Sequence, residues 1–227
     1  MKIVISLPGC SFSNHFLMSW TDTIITLSQK GYGVKVCCEY SSFVPFSRML
    51  ALGLDVRRGP NQKPFNGKLD YDVWITIDSD IVFSPSDVIE LIENTKIHSV
   101  VSGLYMMQDR QHYACVQDFD KAYFVKHGTY QFLTPNDIEI YKKNTGNKFM
   151  KVAYNGMGFF ACRRGVIERM KYPYFYRELQ HIHDENNIIM SDICSEDVAF
   201  CMNLADVGFD IYVNCNLRVG HEKKFII

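Results

Sequence analysis

Asp78 and Asp80 stand one residue apart, directly after the run Val73-Trp74-Ile75-Thr76-Ile77. Five apolar or β-branched residues in a row read as a buried strand, so both carboxylates emerge at its mouth. Carboxylates so placed can reach one hard cation such as Mn2+ or Mg2+. Such a cation neutralises the charge that gathers on a departing diphosphate. A second acidic pair, Glu196-Asp197, follows Ser195 at the head of a helical run that Gly208 closes. Acids in a first helical turn are favoured by the helix dipole, by ~0.3–1 kcal/mol, whether or not they do chemistry. The same position keeps a carboxylate ionised and oriented, as a general base must be. His221, in Val219-Gly220-His221-Glu222, offers an imidazole that suits Mn2+. His181 and His183 read as loop histidines, with acceptor contact or another metal site as the alternative.

Regular elements have to position these groups. Lys2 to Leu7 reads as a strand broken by Pro8-Gly9, and a helix with Phe16, Leu17, Trp20, Ile24 and Leu27 at near-helical spacing stops at Gly31. Val34 to Tyr40 is a second strand, Arg48 to Leu52 a short helix, and Val73 to Ile77 a third strand. Alternating strand and helix predict a parallel, nucleotide-binding half whose ligand sits at the carboxyl ends of the strands. Ser84-Pro85-Ser86-Asp87 and Thr134-Pro135-Asn136-Asp137 each supply a cap, a proline at the first helical position and an acid at the third. Ser99 to Met106, Tyr113 to Gln117 and Ala122 to Lys126 read as strands, the last two as a hairpin. Gly165 to Met170 begins another helix, Glu196 to Val207 is a helix capped by Ser195, and Phe209 to Val213 is the closing strand. No repeat or linker interrupts residues 1–227, which predicts one domain with residues 1–80 for the nucleotide and 81–227 for acceptor and catalysis.

Composition narrows the function. Twenty-four Lys plus Arg against 25 Asp plus Glu leave no field to recruit nucleic acid or an anionic membrane. A hydrophobic content of 47% suffices for one large core. No stretch approaches the ~20 apolar residues of a membrane span, and Ile3-Val4-Ile5 is too short for a signal peptide. The eight cysteines include no CxxC pair and read as buried thiols in a reducing cytosol. The apolar ending Phe225-Ile226-Ile227 predicts docking against further domains of a longer polypeptide.

The order of these features resembles the GT-A glycosyltransferases across nearly the whole chain. It comprises Asp78-Ser79-Asp80 as the D-x-D, Gly156-Met157-Gly158 as a glycine-containing acceptor loop, Ser195-Glu196-Asp197 as the x-E-D, and His221 as the C-terminal histidine. Ser6-Leu7-Pro8-Gly9, the Tyr40-Ser41-Ser42 turn followed by Arg48, and the aromatic Trp74 ahead of the D-x-D are similar to a viral branch. That branch includes the N-terminal glycosyltransferase domain of a chlorella-virus multidomain protein. The resemblance implies a Rossmann-like mixed central sheet flanked by helices. It implies that Asp80 and His221 ligate Mn2+, that Asp78 serves metal or ribose, and that Asp197 is the base of an inverting transfer, with Glu196 second. Leu7, Pro8, Gly9, Tyr40, Ser41 and Ser79 would line the UDP-sugar pocket, with Arg48 and Lys63 beside the phosphates. The donor would be a UDP-hexose or UDP-6-deoxyhexose such as glucose or rhamnose, and the acceptor a glycan hydroxyl.

Other readings differ at named residues. A retaining transferase needs no base, so Asp197 would then be a helix cap alone. Asp78-Ser79-Asp80-Ile81-Val82 also matches the D-x-D-x-[TV] signature of haloacid-dehalogenase-type phosphatases, but it begins far from the first strand and no G-D-x-x-x-D pair follows. Sugar-1-phosphate nucleotidyltransferases carry G-x-G-x-R-x-x-P-x-T where this chain has Leu7-Pro8-Gly9-Cys10-Ser11-Phe12. An inert sugar-binding module would use the aromatic residues alone.

Overall fold

A computed structural model describes residues 1–177, 180–183, 186–187 and 189–223. In chain order its elements are β1 (Lys2–Pro8), α1 (Asn14–Gln29), β2 (Gly33–Glu39), α2 (Val44–Ala51), β3 (Val73–Ile77), β4 (Ile81–Val82), α3 (Pro85–Asn94), β5 (Val100–Leu104), β6 (Cys115–Val116) and α4 (Lys121–His127). There follow α5 (Pro135–Thr145), β7 (Phe149–Val152), β8 (Tyr154–Asn155), β9 (Phe159–Arg163), β10 (Gln180–His183), β11 (Ile189–Asp192), α6 (Glu196–Asp206), β12 (Ile211–Arg218) and β13 (Gly220–His221).

Seven strands form one mixed sheet in the order β2-β1-β3-β9-β5-β12-β7. β2, β1 and β3 are parallel, β9 runs against both β3 and β5, β12 is parallel to β5, and β7 is antiparallel to β12. The carboxyl ends of β1, β3, β5 and β12 therefore share one end of the sheet, and β9 starts there. Side-chain alternation splits the core between the two faces. Ile3, Ile5 and Leu7 of β1 join Val73, Ile75 and Ile77 of β3 under α1 and α3, with Phe16, Leu27, Val88 and Leu91. Val4 and Trp74 point the other way, towards Met49 of α2 and Phe200 and Leu204 of α6. All five residues of β3 are buried because helices cover both faces. The chain is one compact, Rossmann-like α/β domain with helices flanking the sheet.

Both expected capping boxes form, at Ser84 with Asp87 and at Thr134 with Asp137. Other local expectations are corrected. Residues 122–126 are helical in α4, because the Asp120 side chain accepts the Tyr123 N–H and Gly128 closes the helix in the left-handed region. The expected hairpin is therefore absent, and β6 pairs antiparallel with β8 instead. α2 starts four residues before Arg48. Beyond Gly165 only a short 3-10 turn forms, over Ile167–Arg169. The closing strand β12 runs on to Arg218. Ser195 does occupy the α6 cap position, but its side chain caps no backbone N–H. All eight cysteines are free; Cys115, Cys162, Cys201 and Cys215 are buried, whereas Cys10 and Cys38 are exposed. Among the described residues no helix is long and apolar enough to cross a membrane. Phe225, Ile226 and Ile227 lie outside the described residues.

Candidate active site

The end of β3 delivers Asp78 and Asp80 into a turn closed by the Ile81 N–H on the Asp78 carbonyl at 3.1 Å. Two backbone segments clamp that turn. The Asp78 N–H donates to the Gly158 carbonyl at 2.9 Å, and the Gly158 N–H donates to Tyr105 Oη at 3.1 Å. Gly156 and Gly158 allow this approach: a Cβ on Gly156 would stand 2.1 Å from Tyr105 Oη, and one on Gly158 3.0 Å from Ile81 Cδ1. On the other side Gly9 approaches so closely that an added Cβ would lie 3.0 Å from Ser79 Cβ. The structure thus brings Leu7-Pro8-Gly9, Asp78-Ser79-Asp80 and Gly156-Met157-Gly158 to one place. Met157 itself is buried in the core.

Asp78 and Asp80 nevertheless face different partners. Arg48, buried in α2, places Nη1 3.0 Å from Asp78 Oδ1 and donates from Nη2 to Oδ2 at 3.0 Å. The Nη1 approach is angled away from a hydrogen bond, and Arg48 Nε lies 3.7 Å from Glu196 Oε1. Nε, Nη1 and Asp78 Oδ1 are therefore buried without a hydrogen-bond partner among the described residues. Burial opposes the guanidinium charge, but Asp78, then Glu196 and Asp197, outweigh it and raise the Arg48 pKa.

Asp80 turns towards the chain's far end. His221 Nε2 lies 3.1 Å from Asp80 Oδ2, and Lys223 Nζ donates to the same oxygen at 2.7 Å. The Glu222 N–H donates to the Asp80 carbonyl at 2.7 Å, which fixes the tail here. Burial works against the charged carboxylate, yet the bonds from His221 and Lys223 hold its pKa down at about 2. His221 Nδ1 lies 2.7 Å from the Met106 carbonyl. A carbonyl only accepts, so Nδ1 carries a proton; in the neutral ring the Nε2 lone pair then faces Asp80 Oδ2. Two acceptors face to face suit a proton or a cation between them, and one carboxylate with one imidazole backed by a carbonyl suits Mn2+. Among the described residues no cluster of three or more His, Cys, Asp or Glu side chains occurs. Asp78, held by Arg48, stays outside the Asp80–His221 pair.

The start of α6 supplies the second acidic pair. Asp197 Oδ1 accepts from the Ser195 hydroxyl at 2.7 Å and the Val198 N–H at 3.0 Å. Its Oδ2 accepts from Tyr154 Oη at 3.0 Å, the one donor to that oxygen among the described residues. Burial, then the neighbouring Asp197, raises the Glu196 pKa against the opposing pull of Arg48.

The other expected residues divide: the Gly9 N–H donates to the Glu39 carbonyl at 3.2 Å, which puts Tyr40 and Ser41 at this end of the sheet, whereas Lys63 lies elsewhere. Tyr40 follows β2 and is 57% exposed. Ser41 is pinned in the turn before α2, its N–H donating to Ser47 Oγ at 2.7 Å and its carbonyl accepting that hydroxyl at 3.0 Å. Lys63, expected beside the phosphates, instead donates to the Glu168 carbonyl at 2.5 Å. Glu168 also binds the Tyr71 hydroxyl, ahead of the amino end of β3, so Lys63 sits at the opposite end of the sheet. His183 is an exposed residue of β10, not a loop residue, and the His181 side chain lies outside the described part. Sequence reasoning missed Tyr105, Tyr154, Lys223 and the Met106 carbonyl. Only Lys223, two residues after His221, gave a usable signal.

No family model matches the chain, and no curated protein matches it. Among solved structures the chain is similar to A197 from STIV, at 15% identity and a TM-score of 0.51, over 100% of this chain and 97% of that one. At that identity the likeness shows a shared overall fold and nothing more.

Proposed function

We propose that the chain is a metal-dependent, inverting glycosyltransferase, related to the chlorella-virus domain, that moves a hexose or 6-deoxyhexose from a UDP-sugar to a glycan hydroxyl. One observation carries this reading. Asp78, Asp80, His221 and the Glu196-Asp197 pair converge at the carboxyl ends of the strands, where open α/β sheets bind nucleotides. Asp80 Oδ2 and His221 Nε2 would hold Mn2+ or Mg2+, which supplies charge neutralisation to the leaving diphosphate. Asp78, steered by Arg48, would face the ribose or the sugar, and the unpartnered Arg48 Nε and Nη1 would meet donor oxygens. Pro8-Gly9 and Ser79 would form the floor under the nucleoside, with exposed Tyr40 free to cover the base.

Asp197 Oδ2 would take the proton of the acceptor hydroxyl. That oxygen bonds the anomeric carbon from the face opposite the diphosphate, whose bond breaks with its electron pair leaving on UDP. The raised pKa of Glu196, beside Arg48 Nε at 3.7 Å, makes Glu196 the second candidate for the base. Eight free thiols suit a reducing, cytoplasmic setting.

Calorimetry with UDP, with and without Mn2+, tests the reading together with a nucleotide-sugar screen by thermal shift. Manganese-dependent UDP binding and release of UDP from one nucleotide-sugar are expected. Equal melting shifts from UDP-, GDP- and ADP-sugars, or none from any, would sink it.

A further inference from the structure

Beside the start of α6 lies a cavity of about 250 Å³ lined by Phe124, Tyr130, Phe132, Ile182, Ser195 and Val198. It belongs to neither the D-x-D turn nor the Asp80–His221 pair. Its walls come from α4, the segment that follows it, the strand β10 and the first turn of α6. Three contacts tie it to the candidate base. The Ser195 hydroxyl donates to Asp197 Oδ1 at 2.7 Å. The Val198 N–H donates to the same oxygen at 3.0 Å. The Phe132 ring meets the Tyr154 ring edge-on at 6.3 Å, and the Tyr154 hydroxyl binds Asp197 Oδ2.

We propose that this cavity is the acceptor subsite, and that it takes one pyranose ring seated by its apolar C–H face. The inference rests on the glycosyltransferase reading for its role and on the cavity for its chemistry. At about 250 Å³ the space falls below the ~300–1,000 Å³ of pockets for drug-sized ligands, so it suits one ring and not an oligosaccharide. Phe124 and Tyr130 stand 4.9 Å apart at a tilt of 38°, which offers the C–H face of a sugar an aromatic wall. Ile182 and Val198 supply further apolar contact, and Ser195, whose hydroxyl donates to Asp197 Oδ1 at 2.7 Å, puts a polar group on the wall nearest the candidate base. Among the described residues no charged side chain lines the cavity, so a phosphorylated or carboxylated acceptor would lose its solvation without compensation.

Saturation-transfer NMR on the whole chain, with methyl β-D-glucopyranoside as the probe, reads the cavity without any donor. The wild type should saturate H1, H3 and H5, the protons of the apolar face. Thr129→Trp and, separately, Ile193→Trp fill the cavity from exposed positions, and each should weaken the signal roughly ten-fold. UDP affinity by calorimetry should stay at the wild-type value in both, and in transfer assays acceptor KM should rise while kcat holds. No saturation in the wild type, or saturation that survives both substitutions, overturns the proposal. UDP that fails to bind the wild type removes the acceptor role with the glycosyltransferase reading, while the NMR result still decides whether the cavity holds a pyranose.

Discussion

Arg48 and Asp78 pair through one hydrogen bond, Nη2 to Oδ2 at 3.0 Å, with Nη1 3.0 Å from Oδ1 at an angle that makes none and the guanidinium nearly sealed from solvent. Removing one partner of such a pair leaves the other charge buried and uncompensated, at a cost of about 3 kcal/mol or more. Arg48→Met should therefore destabilise the fold by about 3 kcal/mol, the low end of that range, because Asp78 keeps some exposure. The double variant Arg48→Met with Asp78→Asn should recover part of the loss, since neither charge then stands alone. Urea unfolding of the four proteins reads the cycle. Additive losses would mean that the pair is not coupled.

Asp80 holds two nitrogen partners on one oxygen, the His221 imidazole and the Lys223 ammonium, and this sets a prediction for the metal. Lys223 Nζ, 2.7 Å from Oδ2, competes for the position a divalent ion would take beside His221. Lys223→Met should tighten Mn2+ binding, whereas Asp80→Asn and His221→Ala should each weaken it by about ten-fold or more. Calorimetry with Mn2+ and UDP measures all three. Unchanged affinity in Asp80→Asn would remove the cation from this place.

The parts that were legible in the sequence are those in which a local pattern has one physical outcome. Val73 to Ile77 could only be a strand buried on both faces, so Asp78 and Asp80 had to emerge at its end. Ser84 and Thr134, each with proline next and aspartate third, had to open helices. Residues 122–126 misled because Tyr123, Phe124 and Val125 favour strands, while the deciding signal was the Asp120 cap outside the window. The site divides the same way. Carboxylates and histidines announce themselves, but a backbone carbonyl such as that of Met106 carries no letter of its own. Arg48 meets Asp78 only once α2 has packed on the sheet, 30 residues away in sequence. Lys63 had charge and a loop position in its favour, and neither says at which end of a sheet a loop closes.

Glu196 supplies a prediction in pH. Burial and the Asp197 charge raise its pKa in the folded protein above the ordinary glutamate value. A raised carboxyl pKa means that the ionised form is disfavoured by folding, so the penalty is fully present above the folded pKa and absent below the unfolded one. Glu196→Gln removes that penalty. The variant should be the more stable protein near pH 7, and its advantage should shrink as pH falls through the raised pKa towards ~4.3. Urea midpoints of the variant and the wild type between pH 4 and pH 8 check this. A gap that is constant with pH would show that Glu196 does not titrate abnormally.

Asp197→Asn should separate binding from turnover. A general base acts on the acceptor proton and contributes little to holding the donor, so UDP and Mn2+ affinities should match the wild type. Turnover should drop by ~100- to 10,000-fold. Tyr154→Phe gives a graded companion: it frees Asp197 Oδ2 of its one protein donor at 3.0 Å while keeping the ring that packs on Phe132. Turnover in Tyr154→Phe should fall by less than in Asp197→Asn, because the carboxylate that takes the proton remains. Melting temperatures belong beside both measurements, because the first-turn charge at α6 contributes ~0.3–1 kcal/mol through the helix dipole. Near-native turnover in Asp197→Asn, with turnover lost in Glu196→Gln, would transfer the role of base to Glu196.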